Sequence, residues 1–353
     1  MSRPASKQIN SMTLWVPGLL HPQRIDEAGS SLANLQLAAL QKLLSKADYR
    51  VTKKRDFEEQ ACYLFHQQSH LPSAALRASV LVPSAFQQAP NDFWLSIDPV
   101  QMIPDRDTLV LIPAKDLAIT KQESEALLDA FNRHFAEDKV QVLYGAPDQW
   151  FMQIKQPIDL QSTSLTKAAY QSLNNAYPRG NAANYWRQLI NETQMLFYTH
   201  PVNEQRRDNG LPEINSIWPW GEGNLSAAQI TPRSNATIFT DCEYLQGLAL
   251  ATGAQRFPQV NSYQEWQTKT KNGNNFIYLD SLAEQIPQMQ ATEWLQAVQK
   301  FEEEWMKPVL SALNNKQLDS VFLDLGANKQ FYLTAKSLKR FWRWNKKLTA
   351  LCN

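Results

Sequence analysis

The spacing of apolar residues predicts strands and helices that alternate along most of the chain. Residues 13–16 form a short apolar run closed by Pro17 and Gly18, which is typical of a strand followed by a turn. Residues 32–44 repeat apolar side chains at helical spacing, a pattern that predicts an amphipathic helix. A second helix is predicted over 57–68, and a third begins near Pro72.

The middle of the chain predicts a compact β-β-α-β-β unit over residues 90–155. Its helix, at 120–135, opens with a capping box in which Thr120 precedes Glu123 by three residues. The predicted strands cover 93–99, 108–113, 140–144 and 150–154.

The second half of the chain predicts a mainly parallel sheet with helices on both faces. A polar connection at 161–184 leads into a helix over 183–198. Predicted strands then alternate with predicted helices. The strands are 214–218, 236–240, 275–279 and 320–324, and the helices are 241–252, 292–313 and 335–351.

Composition narrows the class of protein. The 353 residues are 43% hydrophobic and 20% charged, with a formal net charge of +1. That balance is typical of a soluble globular protein, and it argues against a bulk electrostatic attraction to nucleic acid. No apolar run is long enough to span a membrane, and the polar residues 1–12 do not form a signal peptide. Three widely spaced cysteines (Cys62, Cys242 and Cys352) favour a reducing compartment, so we expect a cytoplasmic protein.

One stretch, residues 200–223, has the residue types of a functional site. It combines a histidine, asparagines, arginines, two tryptophans and three glycines. Buried polar groups without partners cost free energy, so a plain core element would not need this mixture. Its distinctive members are His200, Asn203, Arg206, Gly210, Asn215, Trp218, Trp220, Gly221 and Gly223.

These residues resemble the signature of the archaeal-type cofactor-independent phosphoglycerate mutases, a family in the alkaline phosphatase superfamily. Residues 236–253 are similar to the strand and helix that follow the signature in that family, and 117–150 resemble its inserted substrate domain. The resemblance covers about residues 90–310. It extends to bacterial proteins described loosely as mutase-like or as regulators.

The resemblance implies an alkaline-phosphatase-like α/β core with a small inserted α+β domain. We expect the core to comprise residues 1–89 and 186–353, and the insertion to comprise 90–185. The family also holds two metal ions and a phosphoserine at the carboxyl ends of its strands.

The metal-ligand positions of the family are altered in this chain. Val16-Pro17-Gly18-Leu19 stands where the family has Asp-Gly-Met, and Asp280 and Asp324 are followed by no histidine. Two divalent ions need about six or seven Asp and His ligands, which two aspartates do not supply. We therefore expect no metal and no other cofactor.

The same resemblance provides candidate site residues. His200, Asn203, Arg206 and Asn215 are expected to bind a phosphate or carboxylate, with Trp218 and Trp220 as the wall of the site. The alternative is that these side chains hold the core together. Ser73 is a weak candidate for the nucleophile, and its alternative role is to cap the following helix.

Two other features have alternative interpretations. Asp98 with the acidic turn at 105–107 could hold a cation or a sugar, or could stabilise turns by side-chain hydrogen bonds. Residues 339–347 mix basic and aromatic side chains. They could bind nucleic acid or an acidic partner, or could dock as a helix through Phe341, Trp344 and Leu348.

Three functional hypotheses follow. The first is a catalytically degenerate mutase relative, a pseudoenzyme that binds a phosphorylated or carboxylated small molecule or a protein partner in a regulatory role. The second is an active phosphoglycerate mutase or phosphatase with a rearranged site. The third is an interaction module that uses the basic aromatic C-terminus. Nucleic acid and membrane are not expected as partners.

Overall fold

The computed structural model describes residues 10–53, 55–137, 140–226, 228–269, 273–286, 289–327 and 329–352. Residues 1–9, on which the expectation about a signal peptide mainly rests, lie outside the described residues, as does the side chain of Cys352. Among the described residues, no helix is long and apolar enough to cross a membrane.

The described residues form twelve strands and fifteen α-helices. The strands are β1 Ser11–Trp15, β2 Asp48–Val51, β3 Phe93–Asp105, β4 Thr108–Pro113, β5 Val142–Ala146, β6 Gln149–Ile154, β7 Ser216–Gly223, β8 Ala236–Phe239, β9 Gln255–Phe257, β10 Asn274–Tyr278, β11 Ser320–Asp324 and β12 Lys329–Thr334. The helices are α1 Pro22–Ala28, α2 Ala38–Lys46, α3 Phe57–Leu64, α4 Ser73–Leu81, α5 Pro83–Gln88, α6 Lys121–His134, α7 Leu165–Ala168, α8 Ala183–Tyr198, α9 Pro201–Asp208, α10 Glu243–Thr252, α11 Tyr263–Lys269, α12 Asp280–Gln285, α13 Ala291–Phe301, α14 Lys307–Asn314 and α15 Leu348–Cys352. A π-helical turn, Glu302–Met306, joins α13 to α14.

Unit 1, residues 1–65 and 231–353, contains a seven-stranded sheet in the order β2-β12-β11-β1-β10-β8-β9. The five strands from β11 to β9 are parallel, and β12 and β2 add an antiparallel edge. Neighbouring residues such as Leu14 and Trp15 point to opposite faces and are both buried, as expected for a parallel sheet covered on both sides. The predicted mainly parallel α/β architecture is confirmed.

Unit 2, residues 66–230, contains a five-stranded antiparallel sheet built around the long strand β3. This strand pairs with β4, β6 and β7, and β6 pairs with β5. Helix α6 begins with the predicted capping box, because Thr120 and Glu123 exchange side-chain and backbone hydrogen bonds. The predicted β-β-α-β-β order is confirmed.

The placement of β7 corrects the sequence-based prediction. The sequence assigns residues 214–218 to the parallel sheet, but β7 pairs antiparallel with β3 in unit 2. A short apolar run predicts a buried strand without specifying its neighbour. The compact units consequently divide at 65/66 and 230/231, whereas the predicted boundaries are 89/90 and 185/186. The predicted division into folding domains stays a prediction.

The C-terminal helix predicted over 335–351 is wrong. The backbone forms a 3₁₀ turn at Ser337–Lys339, continues without regular structure, and becomes helical only in α15. Phe341 and Trp344 are 84% and 82% exposed, so of the predicted docking stripe only Leu348 is buried. Arg340 and Arg343 of this segment form hydrogen bonds with residues 46–48 instead, whereas Lys339, Lys346 and Lys347 are exposed.

Candidate functional site

Open α/β sheets bind their ligands at the carboxyl ends of their parallel strands, so a ligand site is expected at this edge of the unit 1 sheet. Asp280 follows β10 and is buried. Thr240 Oγ1 donates to both carboxylate oxygens of Asp280 at 3.0 Å, and the Asp241 N–H donates to Oδ2 at 2.6 Å. Burial raises the pKa of Asp280 to about 7, although these hydrogen bonds oppose the shift. This carboxyl therefore holds a proton more strongly than an ordinary aspartate does.

Asp324, the last residue of β11, is also buried and also occupied by internal donors. Gln60 Nε2 and Gln330 Nε2 each donate to Asp324 Oδ2 at 2.6 Å. Arg50 Nε donates to Gln330 Oε1 at 2.9 Å, which directs the amide group of Gln330 toward the carboxylate. Burial raises the pKa of Asp324 despite these donors.

The turn after β1 is packed against the turn after β11. Val16 N–H donates to Asp324 O at 2.8 Å, and Leu20 N–H donates to Leu325 O at 2.6 Å. Gly326, with φ of 76°, approaches Gly18 so closely that a Cβ on Gly326 would lie 2.1 Å from Gly18 N. Only glycine fits this contact, and backbone fills the space between the two strand ends.

This edge presents two buried carboxylates, Asp280 and Asp324, whereas the two-metal site implied by the resemblance needs about six or seven Asp and His ligands. Both carboxylates already accept hydrogen bonds from internal N–H or O–H donors, with which a metal ion would have to compete. The position after β1 presents no carboxylate, since Val16 and Pro17 stand there. Across the ranges that the structure describes, no three His, Cys, Asp or Glu side chains are grouped to hold a metal.

A cleft of about 650 Å³ opens beside the end of β10. Gln259 links it to the buried network, because Gln259 Oε1 accepts from Asp280 N–H at 2.7 Å and its Nε2 donates to Ser281 Oγ at 3.0 Å. The charged side chains among its lining residues are Glu293, Lys300 and Glu304. The lining mixes these polar groups with apolar side chains such as Leu282, Phe301 and Trp305, so it suits a ligand with hydrogen-bonding groups and an apolar part. Its acidic excess disfavours a strongly anionic ligand.

Sequence reasoning identified Asp280 and Asp324 but missed the donors that occupy them. Thr240 follows β8 directly and carried a detectable signal, as a polar residue at the carboxyl end of a predicted strand. Gln60 and Gln330 carried no such signal, because they come from helix α3 and from the antiparallel strand β12.

The predicted ligand-binding residues all lie in unit 2. Arg206 is 1% exposed, and its three guanidinium nitrogens all have protein partners. Nε donates to Pro212 O at 2.6 Å, Nη1 donates to Glu123 Oε1 at 2.8 Å, and Nη2 donates to Leu117 O. Burial alone would raise the pKa of Glu123, but hydrogen bonds from Thr120 and Arg206 outweigh it and hold the pKa below its ordinary value.

His200 and Asn203 stabilise the junction between α8, α9 and the segment before β7. His200 is the N-cap of α9, where its Nδ1 accepts from Val202 N–H at 3.3 Å, and burial lowers its pKa. Asn203 is fully buried. It donates to Phe197 O at 2.8 Å and Ile214 O at 2.9 Å, and it accepts from Ile214 N–H at 2.8 Å.

Asn215 forms two hydrogen bonds with the backbone of a neighbouring strand. Its Oδ1 accepts from Met102 N–H at 2.7 Å, and its Nδ2 donates to Met102 O at 3.0 Å. Trp218 and Trp220 are buried in the core of unit 2. Trp218 Nε1 donates to Thr163 O at 2.8 Å. The contacts of this group are structural, and ligand binding by it stays a prediction.

Asp98 does not lie in a turn, contrary to one interpretation of the sequence. It lies within β3, where its Oδ2 accepts from Trp220 Nε1 at 2.6 Å and its Oδ1 accepts from Trp150 N–H at 3.3 Å. Burial raises the pKa of Asp98 to about 7, opposed by the charge of Arg77. The Arg77 guanidinium lies 4.6 Å from the centre of the Trp220 ring.

Ser73 does not cap α4, because the N-cap residue is Pro72 and Ser73 is the first helical residue. Its buried Oγ has no hydrogen-bond partner among the described residues. Gly221, with φ of 72°, packs against it, and a Cβ on Gly221 would lie 3.1 Å from Ser73 Cβ. The Gly-x-Gly segment therefore allows α4 to approach the end of β7. A nucleophilic role for Ser73 stays a prediction.

Comparisons with known proteins connect this architecture to one enzyme class. No family model matches the chain. The 2,3-bisphosphoglycerate-independent phosphoglycerate mutase of Methanosarcina mazei is 21% identical over 140 residues, which is 38% of this chain and 35% of that protein. The probable mutase of the same type from Geobacter sulfurreducens is 25% identical over 176 residues, which is 47% of this chain and 40% of that protein. The matches thus span two fifths or less of these relatives.

Solved structures are similar over nearly the whole chain. The cofactor-independent phosphoglycerate mutase from Thermoplasma acidophilum superimposes with a TM-score of 0.50 and 13% identity, covering 98% of this chain and 95% of that one. The PH0037 protein from Pyrococcus horikoshii gives a TM-score of 0.56 and 9% identity, covering 97% and 92%. The chain shares an alkaline-phosphatase-like α/β fold with these two structures, and it is related to the phosphoglycerate mutases at low sequence identity.

Proposed function

We propose that this protein is a catalytically degenerate relative of the phosphoglycerate mutases that acts by binding, in a regulatory role. The observation that carries the proposal is the occupation of Asp280 and Asp324 by internal hydrogen-bond donors. Thr240, Gln60 and Gln330 present hydrogens to the carboxylates that two-metal chemistry would need as ligands.

The surroundings of these carboxylates support the proposal. The raised pKa of Asp280 weakens it further as a ligand, because a metal must compete with a proton near neutral pH. The contact between Gly18 and Gly326 occupies the space beside Asp324 with backbone. Restoring a metal site would require several substitutions and a rearranged turn.

For the ligand, we propose a small polar molecule bound in the 650 Å³ cleft beside Asp280. Ser281 and Gln259 offer hydrogen-bonding groups, while Glu293 and Glu304 outnumber Lys300. A phosphorylated or carboxylated ligand, as the sequence suggests, would have to overcome that acidic excess.

Metal binding and mutase activity test the first part of the proposal. Metal-stripped protein is titrated with Mn²⁺ by calorimetry, and conversion of 3-phosphoglycerate to 2-phosphoglycerate is assayed with and without Mn²⁺. An archaeal cofactor-independent mutase serves as the positive control. We expect neither saturable binding near stoichiometry nor activity. If both appear, the protein is instead an active mutase with a rearranged site.

Ligand binding is tested by thermal shift with 3-phosphoglycerate and with a panel of neutral sugars and amino acids. Ser281→Trp fills the cleft from its rim, and Ser311→Trp places the same side chain on α14, away from the cleft lining. A ligand at about one hundred times its Kd adds about 2.7 kcal/mol to the native state. We expect a shift that Ser281→Trp removes and Ser311→Trp retains. A shift unaffected by Ser281→Trp would place the ligand elsewhere.

A further inference from the structure

The C-terminal segment, residues 336–347, concentrates positive charge and exposed aromatic rings. Six of the 35 Lys and Arg residues lie within it, and no Asp or Glu follows Asp324. Phe341, Trp342 and Trp344 are 84%, 63% and 82% exposed. Three large rings exposed together on one short segment are typical of a binding surface.

Hydrogen bonds hold this segment in place, so its aromatic side chains are displayed on a fixed backbone. Arg340 donates to both carboxylate oxygens of Asp48, at 2.7 and 2.6 Å, and to Lys46 O at 3.0 Å. Arg343 donates to Ala47 O, and Lys46 Nζ donates to Arg340 O at 2.7 Å. The two arginines thereby bind the carbonyl end of α2, where cations are favourable.

A groove of about 350 Å³ lies between this segment and the sheet. Six of the residues that line this groove are aromatic or cationic, namely Tyr49, Phe331, Trp342, Trp344, Lys329 and Lys346. Its lining contains no acidic side chain among the described residues, so it complements a ligand that is partly apolar and negatively charged.

The edge of the unit 1 sheet lies at the same groove. Strand β2, which contributes Tyr49, pairs with β12 on one side, and among the described strands no other pairs with it. All four of its residues are exposed, with Tyr49 at 60% and Val51 at 73%. A sheet edge of this kind offers backbone N–H and C=O groups to an added strand.

From these features we infer that the groove beside β2 binds an extended peptide segment of a partner protein, one that carries acidic side chains and an apolar anchor. The peptide adds a strand to β2, its anchor packs on Trp342 and Trp344, and its carboxylates face Lys346 and the neighbouring cations. An oligonucleotide or an anionic lipid surface could contact the aromatic rings and the cations, but it would not form strand-type hydrogen bonds with the unpaired backbone of β2. This inference rests on different residues from the proposed function.

The test begins with selection of random twelve-residue peptides on the full-length protein. We expect enriched sequences that combine Asp or Glu with Phe, Trp or Leu. Fluorescence anisotropy then measures the affinity of the best peptide for Trp344→Ser and for Tyr198→Ser, a matched change of an aromatic residue that is 66% exposed in unit 2. Trp344→Ser should weaken binding about tenfold or more, while Tyr198→Ser should leave it unchanged.

A backbone-methylated version of the peptide tests strand addition directly. Methylation at alternate residues removes the N–H groups that would pair with β2, and we expect it to abolish binding. The inference is overturned if no peptide is enriched, if binding survives methylation, or if Trp344→Ser has no effect. It is also overturned if a single-stranded oligonucleotide or phosphatidylserine vesicles bind at this surface while acidic peptides do not.

Discussion

Replacing Arg206 with alanine should destabilise unit 2 by about 3–5 kcal/mol, the range expected when one partner of a buried charge pair is removed. The prediction separates the two roles that the sequence allows for this residue. A ligand-binding arginine in an open site can be removed at little cost to stability. A buried arginine that joins three parts of the fold cannot.

The magnitude follows from the contacts of the guanidinium. Its removal leaves the Leu117 and Pro212 carbonyls without these donors and deprives Glu123 of its charged partner. Leu117 is buried, and a buried acceptor left unpaired costs about 1–3 kcal/mol, whereas Pro212 is exposed and its carbonyl can be hydrated at a lower cost. Glu123 retains its hydrogen bonds from Thr120, which limits the free energy lost when its charged partner is removed. The individual costs are not additive, so the total stays in the stated range.

Urea denaturation, monitored by circular dichroism, measures the change in the free energy of unfolding. Arg207→Ala is the matched control, because Arg207 is 39% exposed and its contacts, with Glu213 at 3.2 Å and Tyr198 O at 3.3 Å, lie at the surface. We expect the control to lose less than about 1 kcal/mol, as surface ion pairs do. A loss of less than about 1 kcal/mol for Arg206→Ala would refute the structural assignment and revive a ligand-binding role.

Three other predictions concern single residues. Ser73→Ala removes a buried hydroxyl that has no hydrogen-bond partner among the described residues. Thermal unfolding should therefore show no loss of stability, or a gain of about 1 kcal/mol. A clear loss would mean that the hydroxyl has an essential partner. Gly221→Ala should lower the free energy of unfolding, measured by urea denaturation, by about 1–3 kcal/mol, because φ at this position is positive and the new Cβ contacts Ser73. An unchanged free energy of unfolding would contradict this packing. Asp280 has a pKa near 7, so between pH 4 and pH 7 the native state holds a proton that the unfolded chain has released. Its stability contribution should therefore fall as pH rises through that window, by up to about 4 kcal/mol. Asp280→Asn should remove this part of the pH dependence and leave the part that comes from Asp98 and Asp324.

Much of the secondary structure could be predicted because local periodicity reports burial. The apolar runs at β1, β8, β10 and β11 identified strands of the parallel sheet, and the Thr120–Glu123 pair identified the start of α6. The same reasoning placed Asp280 and Asp324 at the carboxyl ends of strands. It failed for the C-terminal segment, where hydrogen bonds from Arg340 and Arg343 to α2 replace the predicted helix.

By itself, therefore, the sequence determined which segments are buried, the α/β class and the positions of the acidic residues at the sheet edge. The tertiary structure decided what those residues contact. Asp324 meets Gln60 across 264 positions, Arg206 meets Glu123 across 83, and β7 joins β3 in a second sheet. A buried polar group must find a partner, but the identity of that partner depends on chain segments brought together only by folding. No local pattern carries that information.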